Sequence, residues 1–406
     1  MPQTGPGAAA GRHGDDFVQM VDLVATGQAS SRVELARLTG FSRATVSQRV
    51  EVLLRQGLLI ETGHGPSTGG RQPIRLSLNP AAGVVLAADV GASHYELAIY
   101  DLEGRRKELT RDFLDIAAGP EAVLTQVVAK FDELLDGFGH SRDEIRAIGM
   151  GLPGPVEFAT GTVVRPPIMP GWDGFVVPKW FQEHYPVPVI VDNDVNVLAL
   201  GVYSSGDFDS TEMLVIKVGT GIGCGIVSGG ALHRGADGAA GDIGHVRLAD
   251  QNEVVCNCGN TGCLEAVASG SAIAAKLRKE GLDVHNSWDV VQLARDGEPH
   301  VLHAVRTAGH RIGEVLASLV NFYNPDTIVI GGALAELRDE LLAAIRGVIY
   351  QRALPLATHR LTIASCGEHA AVAGAALLAR QRALSPPAVA KWLSGPPLPQ
   401  SVAVGR

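Results

Sequence analysis

The sequence predicts an α/β body preceded by a small helical module that ends in two strands, and three observations carry that expectation. First, apolar runs broken by Gly or Asp recur after Pro80: VVLAADVGASHYELAIYDLEG, AIGMGLPGPVE, VPVIVDND, EMLVIKVGTGIGCGIVSGG and TIVIGGAL. Second, segments of helical periodicity lie between them, near 120–136, 194–204, 298–321 and 335–349. Strands alternating with helices make an α/β core, whose ligands sit at strand ends. Third, residues 15–79 read helix, helix, helix, then LLIET and PIRLSL as strands around the loop GHGPSTGGRQ.

Charge separates the two parts. The 406-residue chain carries a formal −9 and 46% apolar residues, enough for substantial cores. Residues 1–80 hold eight Arg against six acidic residues, so the acidity belongs to the body. Between Arg32 and Arg75, seven Arg face only Glu34, Glu51 and Glu61. A basic module therefore precedes an acidic body, which argues against wholesale nucleic-acid binding by the body.

Residues 1–14 are small, Gly-rich and aperiodic, and are expected to be a disordered tail without the apolar run of a secretory signal. Residues 383–406, rich in proline, are expected to be a loose tail after a body spanning 80–382. No apolar run approaches the ~20 residues of a membrane span, so a cytoplasmic protein without a membrane partner is expected.

In the module, Phe17, Val18, Val21, Leu23 and Val24 suit a first helix, and Arg32–Leu38 a second, stopped by Gly40. Ser42 can cap a third, with Val46, Val50, Leu53 and Leu54 as its buried stripe. Ser42, Arg43, Thr45, Ser47, Gln48 and Arg49 then become the candidate DNA-contacting set, and Arg71 in the loop can reach a minor groove or phosphate. Arg49 has the alternative of turning toward phosphate or toward the packing surface of the second helix. A helix–Gly turn–helix suits the major groove of double-stranded operator DNA, read as two half-sites by an oligomer. The other reading is a helical dimerisation module with a solvated basic face.

Three of five cysteines fall in GHVRLADQNEVVCNCGNTGCLEA. His245, Cys256, Cys258 and Cys263 form H-x10-C-x-C-x4-C, a donor set that favours tetrahedral, structural zinc. A reduced cluster or a redox pair is the alternative. Cys224 and Cys366 stand alone in apolar patterns and suit reduced core positions.

Gly turns at strand ends make a phosphate-binding expectation. Asp89, Gly91 and Ser93 form one, with Asp89 a candidate to hold Mg2+ through water. Gly219, Thr220 and Gly221 form a second, and Gly331 with Gly332 a third, beside an adenine or ribose. Asp194, directly after the strand VPVIV, is placed to take a proton from a sugar hydroxyl attacking a phosphate, or simply to cap the following helix. Asp192, Asn193 and Asp194 together exceed what capping needs.

GTGIGCGI, GAAGDIGH, CNCGNTGCLEA and DND, with the N-terminal helical module, resemble the ROK family of repressors, open reading frames and kinases over about residues 15–382. The resemblance implies an actin-like, two-lobed sugar-kinase fold, a winged helix-turn-helix at residues 15–79, and a sugar or sugar phosphate in the cleft. It implies that the metal loop shapes the sugar pocket, with His245 also facing the sugar, Glu265 and Asn193 beside it, and Asp194 as the base of a kinase. Three positions depart from the kinase pattern. Asp242 replaces the usual Glu of GEIGH, Ile168 in RPPIMPGW takes an Asn position, and ASH at 92–94 replaces GTK. The leading expectation is a sugar-responsive DNA-binding regulator, acting as a dimer or tetramer. An ATP-dependent, Mg2+-requiring sugar kinase with a regulatory arm is the alternative, and a zinc sensor a third.

Overall fold

The computed structural model describes residues 7–64 and 72–397. The module contains α1 (Gly7–Ala25), α2 (Arg32–Thr39) and α3 (Arg43–Arg55), then antiparallel β1 (Leu59–His64) and β2 (Ile74–Leu78). Ser31 accepts from Glu34 N to start α2, and Gly40, at φ 74°, closes it by donating to Ala36 O. Ser42 accepts from Thr45 N to start α3. Val46, Val50 and Leu53 are buried as their spacing requires, against Met20, Val21, Leu35 and Leu76. Helix α1 starts at Gly7, within the segment 1–14 that the sequence reads as a tail.

The first lobe is a mixed sheet of β3 (Val84–Val90), β4 (His94–Asp101), β5 (Arg106–Phe113), β6 (Ile145–Leu152) and, beyond the short pair β7 (Val156–Glu157) and β8 (Thr162–Val163), β9 (Val189–Asn193). Helices α4 (Pro120–Gly137) and α5 (Val177–Phe181) belong to the same lobe, and α6 (Asp194–Ser205) leaves it. The second lobe contains β10 (Met213–Val218), β11 (Ile222–Ser228), β12 (Ala231–His233), β13 (Thr327–Gly331) and β14 (Thr362–Ser365). Its helices are α7 (Leu264–Ala268), α8 (Gly270–Lys279), α9 (Ser287–Arg295), α10 (Pro299–Tyr323), α11 (Ala343–Arg352) and α12 (Pro355–Thr358). Two helices close the chain, α13 (Ala370–Ala383) and α14 (Pro386–Ser394).

The two five-stranded sheets share one plan. Their orders are β5-β4-β3-β6-β9 and β12-β11-β10-β13-β14. In each, an antiparallel three-strand meander is extended by two parallel strands. The helix that follows each last strand crosses over. Helix α6 leaves the first sheet and packs on β10 and β11, while α13 leaves the second sheet and packs on β3 and β6.

At the crossing the helices touch backbone to backbone. A Cβ at Gly201 would strike Ala370 O, and one at Gly374 would strike Val197 O. Gly149 of β6 similarly admits Ala375 O. Only glycine permits this approach, because interiors are packed too tightly to yield a methyl's worth of space.

The proline-rich tail is not loose over its described part. Pro386 and Pro387 occupy first-turn positions of α14, where the missing N–H costs nothing. Its apolar face then lies on the module: Val389 is buried, and Trp392 Nε1 donates to Gln56 O at 3.2 Å. The module's core is thus continuous with the back of the first sheet through Val85, Ala87 and Tyr100 and with α13 through Val372 and Ala376.

Gly374→Val is expected to cost about 3 kcal/mol or more, or to abolish soluble folding, by overpacking the helix crossing. Gly347→Ala, in α11 with nothing within 4 Å of its missing Cβ, should gain about 0.5–1 kcal/mol. Chemical denaturation of the two variants checks the contrast.

Candidate functional site

A cavity of about 610 Å³ opens between the lobes. Strand ends and helix starts build it, because both sheets point their parallel strands toward the cleft. From the first lobe come the β3–β4 turn with Asp89, Gly91 and Ser93, and the start of α6 with Asn193 and Asp194. From the second come the β10–β11 turn with Gly219, Thr220 and Gly221, the segment around Asp242 and His245, and Glu265 of α7. Gly332 lines the cavity, whereas Gly331 lies behind it, packed by Leu198 and Cys366. The adenine-side expectation for Gly331 is thereby corrected: the residue is the last of a buried strand, one position short of the turn.

Local geometry fixes the donors and acceptors around the starts of α6 and α7. Asn193 Oδ1 accepts from Val195 N at 3.0 Å and its Nδ2 donates to Gly154 O at 2.9 Å. Asn193 is therefore the cap of α6, and the carboxylate of Asp194 is spared that duty. Asp194 sits in the first turn of α6, where the helix dipole favours negative charge. Asp192 is buried and satisfied by Asn193 N, Asn196 and Arg234, so it braces the turn from beneath. Glu265 accepts from Ile222 N at 3.0 Å, and a Cβ at Gly221 would fall on its carboxylate. Burial raises its pKa above the usual carboxylate range. Asp242 projects a mostly exposed side chain 3.8 Å from His245 Nε2. Ile168 also lines the cavity, an apolar surface where the sugar-kinase pattern has an amide.

The four predicted metal donors come together. One ligand atom from each of His245, Cys256, Cys258 and Cys263 lies within 4.8 Å of all the others. Cys256 Sγ is 3.7 Å from His245 Nδ1, and Cys258 Sγ is 3.7 Å from Cys263 Sγ. These separations match the edges of a tetrahedron with metal–sulfur bonds of about 2.3 Å. His245 thus turns Nδ1 to the cluster and Nε2 toward Asp242 and the cleft, linking metal loop to pocket by one ring.

The phosphate side departs from expectation. Lys217 of β10 is half-buried, with Nζ 2.9 Å from Asp194 Oδ2 and 3.7 Å from Asp89 Oδ1. Asp194 holds the ammonium firmly protonated. Asp89, farther from it, is left with its burial, which pushes its pKa up to about 6, and its Oδ1 has no hydrogen-bond partner among the described residues. His94 fills the space beside Gly91; burial drops its pKa to about 4, so the ring is neutral. Trp288 of α9 meets that ring edge-on across the cleft at 6.1 Å, and Arg111 stacks on Trp288 at 4.2 Å. Sequence reasoning missed Lys217, Arg111 and Trp288. For Lys217 the signal was available, a lone charge in the buried run MLVIKV.

The helix-turn-helix face is distinct from the cleft. Arg43, Ser47 and Gln48 are exposed on α3, Thr45 is half-buried, and the Ser42 and Thr45 hydroxyls bond each other at 2.8 Å. Arg49 is a correction: its guanidinium is ion-paired to Asp16 and lies 4.5 Å over the Phe41 ring. Its position is covered by α1, so it ties the module together instead of facing outward. Arg71 lies outside the described residues.

Because Asp89 is easier to protonate folded than unfolded, its ionisation costs stability as pH rises through about 6. The stabilising effect of Asp89→Asn should therefore grow between pH 5 and pH 8 in thermal unfolding. An equal effect at both values would contradict a burial-strained carboxylate.

The ROK family model matches residues 85–382. A putative xylose repressor of Caldicellulosiruptor sp. (strain Rt8B.4) is 30% identical over 360 residues, 85% of this chain and 90% of the relative. A glucokinase of Halalkalibacterium halodurans is 32% identical over 315 residues, covering 73% of this chain and 95% of the relative. Among solved structures, a ROK family transcriptional regulator described as a homologue of the E. coli MLC protein superposes with a TM-score of 0.76 at 24% identity. It covers 93% of this chain and 98% of its own, so the fold likeness includes the N-terminal module. A ROK family glucokinase from Streptomyces griseus, solved with glucose and AMPPNP, gives 0.61 at 28% identity, over 74% of this chain and 100% of that one. Donor cluster, cleft and crossed helices thus meet in a two-lobed fold shared with both kinds of relative, and the chain belongs to the ROK family.

Proposed function

We propose that the chain is a sugar-responsive, DNA-binding transcriptional regulator. The observation that carries this reading is the fusion of one exposed recognition-type helix, α3, to a cleft lined by sugar-type acceptors, with a shared core between them. Relatives named as xylose repressors match along both parts. Arg43, Ser47 and Gln48 would read base edges, and Ser42 and Thr45 would meet phosphate. Two copies would present two such helices to half-sites about 34 Å apart.

The cleft would take a neutral sugar or sugar phosphate through Asp194, Asp242, Glu265 and the Nε2 edge of His245. Ile168 supplies apolar contact where a hydroxyl-binding amide is missing, which shifts the preferred sugar. The four-donor cluster suits zinc, held by three thiolates and one imidazole. With four protein donors the ion has no open position for substrate; when bound it fixes the loop that carries His245 and Glu265.

Helix α13 gives the coupling a physical route. His369 and Ala370, at its start, line the cavity, and its far end leads into α14, whose Trp392 lies on the module. A sugar that binds one lobe arrangement better than another would shift DNA affinity by that difference.

Anisotropy with a duplex selected from a random library by the protein itself tests the reading. D-xylose, D-glucose, N-acetylglucosamine or their phosphates should change the Kd by roughly tenfold or more, and Asp194→Asn should remove the change. Indifference to every sugar would contradict it. Arg43→Ala and Gln48→Ala should each cost about 1–3 kcal/mol of specific binding, read in the same assay.

Metal content provides a separate check. The purified protein should hold one zinc per chain, and Cys258→Ser should lose it and melt earlier. Retention of zinc in that variant would contradict the donor assignment.

A further inference from the structure

The fold is shared with kinases that use a nucleotide, yet the phosphate side of this cleft does not fit a metal–nucleotide. In β10, Met213, Val215 and Lys217 share the face that packs toward α6, while Leu214, Ile216 and Val218 face the opposite core. The residues paired with Lys217 across the sheet are Gly223 and Gly331, so no neighbouring side chain on either strand diverts it. It reaches the first residue of α6, placing Nζ 2.9 Å from Asp194 and 3.7 Å from Asp89. Those two carboxylates are oxygen ligands that this side of the cleft could offer a divalent ion, beside Glu96, which lies against Arg111 and His369.

We infer that Lys217 is the resident cation of the cleft, its ammonium taking the place between Asp89 and Asp194 that a nucleotide-bound divalent ion would need. Two consequences follow from the chemistry. A divalent ion there would meet the ammonium's positive charge at contact range, with Asp194 already ion-paired. Asp194, ion-paired, is also a poorer acceptor for the proton of an attacking hydroxyl. His94 and Trp288 reinforce the exclusion by filling space beside the Gly91 turn. Lys217 donates to Asp194 through one N–H and keeps two further donors, which it can offer to the hydroxyls of a bound polyol. This inference rests on the cleft being a sugar site only for that last point.

Mn2+ titration of the zinc-loaded full chain, followed by electron paramagnetic resonance, tests it without sugar or DNA. Wild type should show no Mn2+ site that depends on Asp89. Lys217→Met, which keeps the side-chain length, and Lys217→Ala should each gain a site binding roughly tenfold or more tighter. Adding Asp89→Asn to either should remove that site. A wild-type Mn2+ site abolished by Asp89→Asn, or no gain in a folded Lys217 variant, would overturn the inference. Because neither result involves DNA affinity, failure here and failure of the regulatory reading are separable.

Discussion

The contact between α6 and α13 is the constraint on which the rest of the molecule depends. Each helix begins where the last strand of one sheet ends and packs on the other sheet, so the lobes are locked by exchange. The approach is close enough that Gly201 and Gly374 each meet a carbonyl of the opposite helix. The same crossing sets where the chemistry lies. Helix starts converge at the cleft, delivering Asp194 from one lobe and His369 from the other, while the far end of α13 is carried toward the N-terminal module. A shift of one lobe against the other is therefore a change in this crossing.

Within the cleft, charge balance decides what can bind. Asp194 has a cation of the chain's own, Glu96 has Arg111, and Asp192 has Arg234. Asp89 is the group left partly unpaid, and Glu265 is held by a backbone amide and burial. Such a site suits a ligand that offers several hydroxyls, each able to donate to a carboxylate. The fold is shared with a ROK glucokinase, but here Asp194 is turned toward Lys217.

The parts legible in the sequence were those whose signal is local. The metal donors lie within nineteen positions, H-x10-C-x-C-x4-C, so spacing alone brought them together. The stripe Val46, Val50 and Leu53 and the glycine turns were local too. Asp194 was marked by its place directly after the strand VPVIV, whereas Glu265 needed the family resemblance, since nothing adjacent sets that carboxylate apart. What escaped was non-local. Lys217 meets Asp194 from 23 positions away, across a sheet and a helix start. Arg49 looks like a DNA contact until α1 brings Asp16 over it. The tail reads as loose because proline composition hides that Pro386 and Pro387 start a helix, and only the module supplies the surface Trp392 needs.

The central claim is that sugar binding at the cleft reaches the module through the crossed helices. Hydrogen exchange of the zinc-loaded protein, with and without a sugar shown to bind, measures this most directly. The account predicts altered protection in residues 386–394 and 43–55 as well as at the ends of α6 and α13 lining the cleft. Changes confined to the cleft, with α14 and α3 exchanging identically in both states, would contradict it.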